Sequence, residues 1–236
     1  MTDRISFNRA YPLGKEVDYA SEAISSGRIG SGGKFGDAAE QCLRDRFNGS
    51  DVLLTSSCTD ALEMAALLAN VAPGDEVILP SFTFVSTVNA FCLRGATPRF
   101  VDIEPEWLNI DPEKIEAAIS PKTKAIVPVH YAGVPSDMKK IIEIANRHGL
   151  TVIEDAAQAL GSLSGGTQVG LDGAMSALSF HETKNVSCGE GGALVINDPA
   201  LVERARILRD KGTNRHDFAL GRVDMYTWVD TGSSFG

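Results

Sequence analysis

The chain has 236 residues, 43% of them hydrophobic, which is enough for one large domain with a sizeable core or for two small ones. A formal net charge of −9 argues against broad binding to a nucleic-acid backbone, and no apolar run reaches the length of a membrane span. The polar start, MTDRISFNRAYPLGKE, lacks the apolar core of a secretory signal, and Cys42, Cys58, Cys92 and Cys188 show neither CxxC nor zinc-finger spacing, so reduced thiols in a cytoplasmic protein are expected.

Residues 1–35 read as an N-terminal arm: a short helix, VDYASEAISS, then the glycine-rich GRIGSGGKFG, packing on the domain or on a partner. From about residue 50, strand-like runs alternate with helical patterns. DVLLT (51–55) leads through Ser57-Cys58-Thr59 into CTDALEMAALLAN, where Leu62, Ala65, Ala66 and Ala69 keep helical spacing. EVILP (76–80), after the turn signal PGDE, leads through Ser81-Phe82-Thr83-Phe84 into the helical TFVSTVNAFCLR. PRFVDI (98–103) and KAIVPVH (124–130) follow, then the helical DMKKIIEIANRHG and LTVIE (150–154), which runs into Asp155. MSALSF (175–180) runs into His181 through Lys184, and ALVIN (193–197) is the last strand. This alternation predicts an α/β fold over residues 36–236, a mainly parallel sheet with helices on both faces. Ligands of such sheets gather at the carboxyl ends of the strands, so the polar residues there belong to one edge.

Three of those strand ends carry possible chemistry. The helix start at Ser57-Cys58-Thr59 offers unpaired amides and the positive end of a dipole, which suits a phosphate; simple N-capping is the plainer alternative. Asp155 ends an apolar strand, so its carboxylate needs a cation or strong donor, such as a pyridinium nitrogen, unless it only caps the next helix. Glu154 should point to the opposite face. In SFHETKNVSCGEGG (179–192), Ser179 can donate to the same phosphate and Lys184 can reach an aldehyde on the same cofactor. Gly189, Gly191 and Gly192 allow tight backbone conformations or mark a plain turn. His181 is a phosphate or substrate contact or a structural histidine, and Cys188 reads as a packed thiol. Phosphate donors, a carboxylate and a downstream lysine in this order suggest pyridoxal phosphate.

The segments PGDEVILPSFTFVSTVNAF, GATPRFVDIEPEWLNIDPEKIEAAI, KAIVPVHYAG, VIEDAAQALGS and SFHETKNVSCGEGG together resemble the DegT/DnrJ/EryC1/StrS family of sugar aminotransferases, from about residue 10 to the end. The resemblance implies the large domain of the aspartate-aminotransferase fold, a pyridoxal 5′-phosphate cofactor and a homodimer. By position, Lys184 resembles the lysine that bonds the cofactor and shuttles protons, Asp155 the partner of the pyridine nitrogen and Gln158 the neighbour of the ring hydroxyl. Cys58, Thr59 and Ser179 match phosphate contacts, the first largely through backbone, and Phe84 matches an aromatic ring over the cofactor. The segment RDKGTNRHDFALGRVDMYTWVDTGSSF looks most like the branch aminating dTDP-4-dehydro-6-deoxy-D-glucose, which implies a nucleotide-sugar substrate and glutamate as amino donor. Related sugar dehydratases carry histidine in place of the lysine, so Lys184 favours transamination. Family members continue through a smaller C-terminal domain. A chain ending in GSSFG is therefore expected to be truncated, with a sugar dehydratase or a non-catalytic cofactor-binding fragment as alternatives.

Overall fold

The computed structural model describes residues 6, 8–9, 11–30 and 32–236. Parts of the expected N-terminal arm, residues 1–5, 7, 10 and 31, lie outside the described residues. Within the arm, α1 (Glu16–Ser25) has no buried residue. It leans on the start of α2 (Lys34–Arg46), where the Tyr19 and Phe35 rings lie 4.9 Å apart and Lys34 pairs with Glu22. The helix α2 therefore runs across residue 35, where the sequence places the end of the arm.

From there the chain alternates as the hydrophobic pattern predicts. The elements are β1 (Asp51–Thr55), α3 (Cys58–Leu68), β2 (Glu76–Pro80), α4 (Val85–Cys92), β3 (Thr97–Val101), α5 (Pro112–Ala118), β4 (Thr123–Ile126), α6 (Met138–His148) and β5 (Thr151–Asp155). A two-stranded ribbon, β6 (Leu163–Ser164) with β7 (Thr167–Gln168), precedes β8 (Met175–Ser179), β9 (Gly192–Ile196), α7 (Val202–Arg209) and α8 (Arg215–Ala219). Strand KAIVPVH stops early, at Ile126, because Pro128 has no N–H to give the ladder; Val127 and Val129 still make single contacts with β2 and β5.

The sheet has seven strands in the order β1-β9-β8-β5-β4-β2-β3. All neighbours pair in parallel except β9, which runs antiparallel to both β1 and β8. The fold is thus the expected mainly parallel sheet with one reversed strand. Side-chain alternation divides each strand between two faces. Leu53, Val77, Leu79, Leu194 and Ile196 meet α3, α4 and α7 on one face. On the other, Ile78, Ile126 and Val152 pack under α5 and α6, and Val52, Ala193 and Val195 pack with α2. The buried face of α3 is Ala, Leu and Met, with Ala61, Leu62, Ala65 and Ala66 at or below 1% exposure, so it lies flat on the sheet over β9 and β8. Each such leucine contributes roughly 1.5–3 kcal/mol by leaving water.

One polar cluster sits inside this core. Glu154 and His130 are fully buried and joined at 2.8 Å. Nδ1 of His130 accepts from the Ser136 amide, so the ring proton lies on Nε2 and is donated to Glu154. The other Glu154 oxygen accepts from the amides of Asp172 and Gly173. Glu154 thus turns away from the face its neighbour Asp155 serves, as strand alternation requires. Glu154→Ala would leave three donors without an acceptor, two of them buried. We expect it to lower the unfolding free energy by about 3–5 kcal/mol, and a loss below about 1 kcal/mol in urea denaturation would contradict this role.

Candidate active site

The carboxyl ends of β1, β2, β4, β5 and β8 and the amino end of β9 open into one cleft of about 410 Å³. That volume suits a small cofactor or substrate. All seven residues expected from the sequence, Cys58, Thr59, Phe84, Asp155, Gln158, Ser179 and Lys184, line it. Among the described residues no cluster of His, Cys, Asp and Glu could hold a metal ion. No described helix is long and apolar enough to cross a membrane.

The first wall is the amino end of α3. Ser57 caps it, its Oγ accepting from the Asp60 amide at 3.1 Å. The earlier amides, those of Cys58 and Thr59, belong to the set a helix leaves without intrahelical partners. Thr59 Oγ1 donates to Ser86 Oγ at 2.8 Å, tying this turn to α4. Burial pushes the Cys58 thiol well above its usual range; the Asp155 charge adds to the rise and the Lys184 charge opposes it. The thiol is thus a neutral packing group that feels both charges of the cleft. Gly192 opens β9 directly against this turn. A Cβ there would lie 2.4 Å from both the Cys58 nitrogen and the Ser57 carbonyl carbon. The glycine is required for close approach of two backbones.

The second wall is the end of β5. Asp155 is 4% exposed. Its Oδ1 accepts from the Ala157 amide at 3.1 Å and its Oδ2 from the Thr87 hydroxyl at 2.6 Å. Gln158 follows, its Oε1 accepting at 2.6 Å from the amide of Ala132, a residue in the left-handed region at φ 53°. The neighbouring ring of Tyr131 packs on Phe82 at 4.5 Å.

The third wall is the loop between β8 and β9. Ser179 ends β8, 7% exposed, and accepts weakly from the His181 amide at 3.4 Å. The loop is held by Phe180 N–H to Gly191 O and Glu182 N–H to Gly189 O, both 2.8 Å, and by Asn185 Nδ2 donating to Leu160 O. Lys184 hangs from it, its amide bonded to His181 O. The ring of His181 bonds Thr183 Oγ1 at 2.8 Å and stands 3.5 Å from Glu190, at the rim of the cleft. Of the three loop glycines only Gly189 has a positive φ; Gly191 and Gly192 are close-approach positions. Cys188 is exposed, its thiol donating to Glu190 O, so the packed thiol expected there is not found.

The sequence reading placed Thr83 at this edge without a role and missed Ser86, Thr87 and Tyr131, all lining the cleft. Thr87 stands in the first turn of α4, and Thr83 lies just before the helix, its hydroxyl 2.7 Å from that of Thr87.

The sequence pattern of the DegT/DnrJ/EryC1/StrS aminotransferase family matches residues 13–230. The chain belongs to this family. Solved structures agree. PseC of Helicobacter pylori, an aminotransferase involved in pseudoaminic acid biosynthesis, is 29% identical with a TM-score of 0.88, over 99% of this chain and 62% of its own. NtdA of Bacillus subtilis, solved with bound cofactor PMP, is 33% identical with a TM-score of 0.83, over 99% and 54%. DesI, solved in the presence of its TDP-sugar product, is 35% identical with a TM-score of 0.81, over 87% and 52%. The chain thus spans between 52% and 62% of the length of these structures.

Gly192→Ala would push the start of β9 off the first turn of α3. We expect about 1–3 kcal/mol of lost stability in urea denaturation together with loss of pyridoxal-phosphate binding. Unchanged binding would show that the turn is not a phosphate seat.

Proposed function

We propose that the chain forms the cofactor-binding large domain of a pyridoxal-phosphate-dependent aminotransferase. Its substrate in this reading is a nucleotide-linked 4-keto-6-deoxyhexose, and glutamate is the amino donor. One observation carries the reading: an amine, Lys184, and a buried carboxylate, Asp155, share a cleft with the open end of α3. When bound, pyridoxal phosphate supplies an aldehyde that takes up an amino group and a ring that withdraws electrons from the reacting carbon.

The residues fit that group by charge and by hydrogen-bonding capacity. The amides of Cys58 and Thr59, with the hydroxyls of Thr59 and Ser179, would hold the phosphate. The Asp155 carboxylate would keep the ring nitrogen protonated, and Gln158 would sit beside the ring hydroxyl. Phe84, 71% exposed at the start of α4, offers a flat apolar surface to a ring face. Lys184 would hold the aldehyde carbon in the resting protein and, once released, accept and return a proton at Nζ in both halves of the exchange. PMP, the aminated form of the same cofactor, in NtdA and the TDP-sugar with DesI support the choice of cofactor and substrate class.

Borohydride treatment of the cofactor-loaded chain is expected to fix the pyridoxyl group to Lys184, read by peptide mapping. A label on another lysine removes the assignment. Lys184→Ala should lower the rate of amino-group uptake from glutamate, followed by absorbance, at least about a hundredfold.

The proposed assembly is a homodimer, supported by the unburied α1 and by exposed apolar side chains such as Trp228 at 76% and Tyr11 at 88%. Sedimentation velocity at micromolar concentration should give a dimer; a monomer contradicts it.

A further inference from the structure

The Asp155 carboxylate is held from behind by a feature that site chemistry alone does not call for. Thr87, 1% exposed on α4, donates its hydroxyl to Asp155 Oδ2 at 2.6 Å across 68 residues of sequence. A threonine inside a helix ordinarily turns its hydroxyl back to a carbonyl of its own preceding turn. This one leaves its helix and reaches the end of β5. Behind it, Thr83 Oγ1 lies 2.7 Å from Thr87 Oγ1. A hydroxyl has one proton to give, and that of Thr87 is committed to Asp155, so Thr83 is the donor in the second bond. The chain of bonds runs one way, Thr83 to Thr87 to Asp155.

Each carboxylate oxygen of Asp155 therefore receives one fixed donor, the Ala157 amide on Oδ1 and the Thr87 hydroxyl on Oδ2. Two donors on different oxygens set the plane of the group. The remaining lone pairs stay free for a protonated ring nitrogen.

Resting on the cofactor assignment proposed above, we propose that Thr87, backed by Thr83, is a positioning residue. It orients the Asp155 carboxylate toward the pyridine nitrogen of the cofactor.

The test is pyridoxal-phosphate titration of the full chain, read by absorbance and protein fluorescence, with melting of the cofactor-free protein measured in parallel. Thr87→Val keeps the shape and removes the donor. We expect it to weaken cofactor affinity about tenfold while the cofactor-free melting temperature stays close to that of the parent. Thr87→Ser should bind like the parent, and Thr83→Val should weaken binding less than Thr87→Val. In an Asp155→Asn background, adding Thr87→Val should cost little further affinity, because the hydroxyl acts through the carboxylate. Equal affinity of parent and Thr87→Val, failure of Thr87→Ser to restore binding, or full additivity with Asp155→Asn would each overturn the inference and leave the cofactor assignment standing. A parent chain that does not bind pyridoxal phosphate overturns both.

Discussion

The site depends on a carboxylate withdrawn from water. Asp155 is 4% exposed at the end of a central strand, and a charge so placed is stable only where the fold supplies donors in fixed positions. Two fixed donors meet that demand: the amide of Ala157 directly after the strand and the hydroxyl of Thr87, 68 residues away on α4. The packing of α4 against α3 and the sheet is thus tied to electrostatics as well as to apolar contact. Glu154, one residue earlier, meets the same demand on the opposite face with His130 and two amides. Neighbouring acids in one strand therefore divide into a structural group and a cleft group.

The reversed strand β9 does a second job. Because it runs against β8, its amino end arrives at the same sheet edge as the carboxyl ends of the parallel strands. The loop that carries Lys184 is consequently closed at both ends at that edge. Gly192 then lets β9 start in backbone contact with Ser57 and Cys58, so the lysine loop and the amino end of α3 share one rigid junction. That junction ties the loop carrying Lys184 to the open amino end of α3.

Most of the sheet and the principal polar residues were legible in the sequence because both signals are local. Apolar alternation marks a strand, and chemistry at a strand end follows within a few residues, as at Thr59, Asp155 and Lys184. Direction is not local: a period-two pattern reads the same both ways, so nothing in ALVIN announced that β9 is antiparallel. Helices α2, α5, α7 and α8 went unread: α2 contains Gly36 and buries only Leu43 within its span, and the other three have eight residues or fewer, α5 with proline at its start. Thr87 escaped for a different reason. A threonine in an apolar helix carries no mark of its own, and its partner stands far along the chain. The glycines before β9 were read as conformational, whereas Gly192 matters for what its missing side chain would strike.

The alternation along β9 also makes the chain's length rigid in one place and elastic in the next. Leu194 and Ile196 face α3, while Ala193 and Val195 face the other core. One residue inserted between 193 and 196 would exchange those two sets and pull Gly192 out of its junction with α3. One residue inserted near Val186 or Ser187 falls on an exposed arc whose two ends are already fixed, and the cores on either side never register it. Variation in length is therefore channelled to the outer rim of the lysine loop, where it can reshape the mouth of the cleft and leave its floor untouched.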